Sequence, residues 1–110
     1  MRLRFAAMLL LLIGGCARPL YDWGRYERSI HELYVDGNSV NVAEQRDLLA
    51  REVQETIQRG ANVPPGKYAY VGYLCYLGGD KQAAAKYFQA EKQAFPESAH
   101  FIDLMLEKMQ

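Results

Sequence analysis

Two consecutive prolines, Pro64 and Pro65, interrupt a chain whose apolar residues otherwise recur every three or four positions. A proline inside a helix removes a backbone hydrogen bond and clashes with the preceding turn. The stretch "ANVPPG" (61–66) therefore divides the chain into two helical halves. Before it, Trp23, Tyr26, Ile30, Leu33 and Tyr34 form the stripe of one amphipathic helix. The turn formers "DGNS" follow. A second helix starts at "NVAE", where Asn41 is placed to cap and Glu44 to answer it three residues later. Val42, Leu49, Val53 and Ile57, with Leu48 beside them, share its apolar face, and Gly60 closes it.

After the prolines, Tyr68, Val71, Leu74 and Cys75 step by three and four. "GGD" breaks that pattern and leaves Asp80 as an N-cap. Ala84, Phe88 and Glu91, with Ala85, Tyr87 and Phe95, make a fourth helical face that stops before Pro96. A fifth helix from near Ser98 carries Phe101, Ile102, Met105, Leu106 and Met109. No segment sustains period-two alternation, so the expected fold is all-α. It has about five antiparallel helices joined by short loops, over residues 21–110.

The start of the chain is of a different kind. Arg2 and Arg4 precede an apolar run of about nine residues, Phe5 to Ile13, too short for the ~20 that span a bilayer. This arrangement marks a removable signal, residues 1–15. The run leads into Ile13-Gly14-Gly15-Cys16, which resembles the bacterial lipobox. That resemblance implies cleavage before Cys16, a diacylglyceryl group on its sulfur and acylation of the new amino terminus. Ala17 follows rather than Asp, so the expected destination is the outer membrane, with a short tether over residues 16–20. Several acyl chains give stable attachment where one is marginal.

Removing Arg2 and Arg4 from the 13 basic residues leaves 11 against 13 acidic, a net charge of about −2. No basic stripe is present to neutralise phosphates, which argues against a nucleic-acid partner. With Cys16 assigned to lipid, Cys75 has no disulfide mate and reads as a buried core thiol. A mature chain of about 95 residues buries only ~60–65% of its unfolded surface, so a partner would add to its stability.

Taking Tyr68 as the large first position, residues from about 65 to 98 resemble one 34-residue tetratricopeptide unit. Gly72 falls where the first helix needs a small residue, Gly79 in the turn and Ala84 at the close helix approach. Phe88 lies four residues on and Pro96 at the close. Cys75 stands where an aromatic is usual, and Glu91 replaces the usual alanine. The resemblance implies tetratricopeptide-like hairpins, the first degenerate, with the last helix as a cap. It places Gly66, Ala69, Tyr73 and Tyr76 on the concave side. Tyrosine combines large contact area with little rotamer entropy and a hydroxyl, so Tyr73 and Tyr76 are the candidate partner-binding residues.

The set "YDWGRYE", "VPPGKYAYVGYL", "GDKQAAAKYFQAEKQAFPES" and "FIDLML" behind a lipobox resembles a family of small bacterial lipoproteins of unknown function, domain of unknown function 4810. Its members are similar in being tetratricopeptide-like, and they typically lie beside genes for a curli-secretion-channel-like lipoprotein. The resemblance implies that such a lipoprotein is the partner; it supplies no catalytic residues.

Nothing in the pattern points to an enzyme, a metal or a cofactor. His31 and His100 lack ligand spacing, and His31 with Glu27 reads as a solvated pair. Cys75 has no base beside it. Glu52 and Glu55, near Arg51 and Arg59, read as a solvated face. The expected role is a lipid-anchored, non-enzymatic interaction module at the periplasmic side of the outer membrane. The alternative is an accessory that activates a periplasmic cell-wall synthesis enzyme.

Overall fold

The computed structural model describes residues 19–110, so the expected signal, Cys16 and the first part of the tether lie outside the described residues. Five α-helices follow one another, α1 (Tyr26–Asp36), α2 (Val42–Gln58), α3 (Lys67–Leu77), α4 (Lys81–Ala94) and α5 (Ala99–Lys108). A single 3-10 turn, Pro96–Ser98, joins the last two, and no strand occurs among the described residues. The fold is all-α.

Local chemistry sets most of the boundaries. The Asn41 side chain accepts from the Glu44 N–H at 3.1 Å, and Asp80 from the Ala83 N–H at 2.9 Å, so both expected N-caps form. The α3–α4 junction is compact. The Gly79 N–H donates to the Tyr76 carbonyl and the Asp80 N–H to the Cys75 carbonyl, which closes α3 in a Schellman turn. One residue later Asp80 opens α4. The first helix starts later than its stripe implies, at Tyr26. Gly24 and Arg25 form a turn in which the Tyr26 N–H reaches the Trp23 carbonyl at 3.1 Å.

The core is made of Leu49 and Val53 from α2, Val71, Leu74 and Cys75 from α3, Ala84 and Phe88 from α4, and Ile102 from α5. The closest helix pair is α3 with α4. A Cβ on Gly72 would stand 3.1 Å from the Ala84 carbonyl oxygen and 3.2 Å from the Tyr87 Cβ, so a side chain there would push α4 back by a few tenths of an ångström. Lys92 on α4 and Asp103 on α5 are bonded at 2.7 Å.

Four residues of the expected apolar stripes are exposed, Trp23 in the turn before α1 among them. Tyr34, Ile57 and Phe101 retain much of their surface because no element covers their side of the helix. Glu52 also departs from expectation. It is mostly buried and takes a 3.0 Å bond from Lys67, whose side chain is 1% exposed. A lysine enters a protein interior when it is paired, as here.

All connections at one end of the bundle come together. The α2–α3 loop, the α4–α5 turn and the chain entering α1 meet there, with the Tyr21 ring 6.2 Å from Phe95 and the Asp22 N–H bonded to the Asn62 carbonyl. The α1–α2 and α3–α4 turns lie at the opposite end.

Candidate interaction groove

Alternate helices supply one concave face. Tyr34 of α1, Ala69, Tyr70 and Tyr73 of α3, and Phe101 and Met105 of α5 border a groove of about 340 Å³, with Phe88 at its floor. An adjoining cleft of about 410 Å³ between α1 and α3 adds Ile30 and Leu33 and shares Tyr34, Tyr70 and Tyr73. None of these side chains carries a formal charge, and Tyr73 and Phe101 are open to solvent.

The groove wall is fixed from behind by polar contacts. The Tyr70 hydroxyl donates to Gln45 Oε1 and lies 3.2 Å from the Ser29 carbonyl, which also accepts from Gln45 Nε2 at 3.0 Å. One buried cluster thus joins α1, α2 and α3. Burial pushes the Tyr70 phenol up to about 12, so at neutral pH it is a neutral donor. The Tyr26 ring sits 5.8 Å from Tyr70, and burial, then the Glu91 charge, raises its pKa also.

At the start of α3, Gly66 adopts φ 91°, a left-handed conformation that glycine accepts without strain. It has no side chain with which to cap the helix, and Glu91 from α4 takes that role. The buried carboxylate accepts from the Gly66 N–H at 2.6 Å and the Ala69 N–H at 3.4 Å. A negative charge at a helix N-terminus is favourable. Burial nonetheless raises the Glu91 pKa, an effect that the N–H groups of Gly66, Ala69 and Tyr68 partly offset.

Of the residues expected on the concave side, Gly66, Ala69 and Tyr73 line the groove. Tyr76 is 36% exposed but lies beyond that lining, about 60° around α3 from Tyr73 and one turn further along. Sequence reasoning missed Tyr34 and Phe101 as groove residues and Glu91 as a clamp. The adjacent apolar pair Tyr34-Val35 carried a signal, since one helix stripe cannot bury both.

A second depression, about 500 Å³ between α1 and α2, is lined by Arg28, Glu32, Asp36 and Glu44 among others. Its Arg28–Glu32 pair, 3.2 Å apart, has side chains 81% and 50% exposed. This is a solvated gap whose lining is more polar than apolar and carries several charged side chains. His31 and His100 are exposed, and the Cys75 thiol is buried, its pKa raised by that burial. Among the described residues no three His, Cys, Asp or Glu side chains converge on a metal geometry, and no helix is long and apolar enough to cross a membrane.

Residues 20–105 match the family described as "Domain of unknown function (DUF4810)". No curated protein and no solved structure matches the chain.

Proposed function

The chain belongs to the DUF4810 family, which brings no activity with it, and we propose that it is a lipid-anchored protein-interaction module of the outer membrane. One observation carries the reading. Three alternate helices, α1, α3 and α5, present uncharged aromatic and apolar side chains along one concave face. Such a surface is readily desolvated, and tyrosines and phenylalanines are the residue types that anchor partners. The contribution of every second helix to one face is also how tetratricopeptide arrays bind, which supports hairpins of that type. The lipobox at Cys16 supplies the anchor. The partner proposed from the family resemblance is a curli-secretion-channel-like lipoprotein, held in the groove at Tyr73.

The test is photocrosslinking in living cells from position 73, with Gln89, an exposed residue on α4, as control. The expected result is one discrete lipoprotein adduct at position 73 that is absent at 89. Adducts to a cell-wall synthase would replace this reading with the accessory role. Equal adducts at both positions would refute the groove.

A further inference from the structure

The chain that leads toward Cys16 does not leave the domain freely. The Leu20 carbonyl accepts from Asn62 Nδ2 at 3.2 Å, and the Asp22 N–H donates to the Asn62 carbonyl at 3.0 Å. The Asp22 carboxylate in turn takes the Thr56 hydroxyl at 2.9 Å and pairs with Arg59. The Thr56 bond, the largest influence, and the Arg59 charge hold the Asp22 pKa below its ordinary value, consistent with a firm attachment. Leu20 is therefore the tie nearest to Cys16 among the described residues.

Four residue steps separate Leu20 from Cys16. Fully extended they span at most ~14 Å. An anchor that short cannot let a domain of five helices tumble clear of the headgroups. It fixes which end faces them.

We infer that this end of the bundle rests on the lipid surface itself, with Leu20, Tyr21 and Ile57 as its apolar contact. The inference rests on the lipid-anchor reading above and goes beyond it, since a lipid anchor alone sets no orientation. Leu20 is 69% and Ile57 49% exposed, and with Tyr21, Ala61 and Phe95 they border one shallow depression of about 410 Å³. Tyr21 packs edge-on against Trp23 at 6.1 Å, and tyrosine and tryptophan are the side chains that settle at the headgroup level. Asp22, the carboxylate in this segment, is neutralised by Arg59. Docking leaves the groove accessible. Tyr73 and Tyr34 lie ~9 Å and ~12 Å along helices that start at the docked end.

Trp23 is the sole tryptophan of the chain and 40% exposed, which supplies the probe. The lipidated protein would be reconstituted into phosphatidylethanolamine–phosphatidylglycerol vesicles whose acyl chains are brominated near the headgroup. Flotation would be scored alongside quenching of emission. Trp23 is expected to be quenched at least twofold more strongly than a tryptophan at position 34 in the Trp23→Phe, Tyr34→Trp variant. Leu20→Asp with Ile57→Asp is expected to abolish most of that difference while the protein still floats. Equal quenching at both positions in floating protein would overturn the docking and leave the anchor standing. Protein that fails to float would overturn the anchor reading and the docking with it. A photoreactive residue at position 20 that captured a discrete protein in cells, rather than lipid, would assign this surface to a protein and overturn the inference.

Discussion

The two helix pairs on either side of Pro64-Pro65 are held together by different means. In the second pair, Gly72 and Ala84 bring the α3 and α4 backbones close, and Val71, Leu74 and Phe88 fill the contact with apolar surface. In the first pair, α1 makes no such close approach, and its one fully buried residue is Ser29. It is attached through the Ser29 carbonyl, Gln45 and Tyr70 and through the partly buried Tyr26, Ile30 and Leu33, with a solvated gap on one side. The difference separates two roles. The second pair is the folding unit, and α2 joins it through Leu49 and Val53. The first helix is a wall of the groove, docked on that unit by hydrogen bonds and by a half-buried apolar stripe.

Three substitutions would break or sharpen that contrast. The largest effect is expected for Phe88→Ala, about 3–5 kcal/mol of global stability, because Phe88 is 1% exposed between α3, α4 and the groove floor. Urea denaturation measures it, and a loss below about 2 kcal/mol would deny the second pair its central place. Glu91→Ala should cost about 2–3 kcal/mol, since it strands the buried N–H groups at the start of α3. Its pH signature is specific. The folded-state pKa of Glu91 is raised above its ordinary 4.5, so the folded protein holds this proton to higher pH than the unfolded chain. The contribution of Glu91 is thus greatest at and below 4.5 and declines as pH rises through the raised value. Asp22 has the opposite sense, full above 3.8 and lost as pH falls through its lowered value. Denaturation curves across this range should show the upper slope vanish in Glu91→Ala and the lower slope persist. The smallest effect is expected for Tyr70→Phe, about 1 kcal/mol, read best by hydrogen exchange. Amides of α1 should exchange faster while those of α3 and α4 hold. Uniform acceleration would mean that α1 belongs to the same cooperative unit.

The parts of this architecture written in short-range chemistry were legible from the sequence. Asn41 and Asp80 cap as their positions imply, Gly60 and Gly79 close helices, and Pro96 ends α4. Periodicity groups residues on a helix face without saying whether anything covers that face. Tyr34, Ile57 and Phe101 are on the expected stripes and remain exposed for that reason. Long-range polar pairings were the least legible. Glu52 and Lys67 are 15 residues apart, and Glu91 and Gly66 are 25 apart. Nothing local distinguishes a carboxylate that will meet a buried lysine or three helix amides from one that will meet water. Glu91 showed only as a departure from an alanine pattern, and Gly66 gives the reason, a helix start without a side chain of its own to cap it. In the groove, Tyr73 was legible from a repeat register, whereas Tyr34 depends on where a loosely attached neighbour comes to rest.

Cys75 has a practical consequence. Its thiol is 3% exposed on α3, wedged where the two halves of the bundle meet. A thiol reagent can reach it only when α3 parts from its neighbours, so its rate of modification in native buffer is a direct record of how often the centre of this domain opens. Cys75 is the one cysteine among the described residues, so within them that record comes from a single thiol and needs no engineered label. A ligand that closed the domain would register in the same measurement as a slower rate.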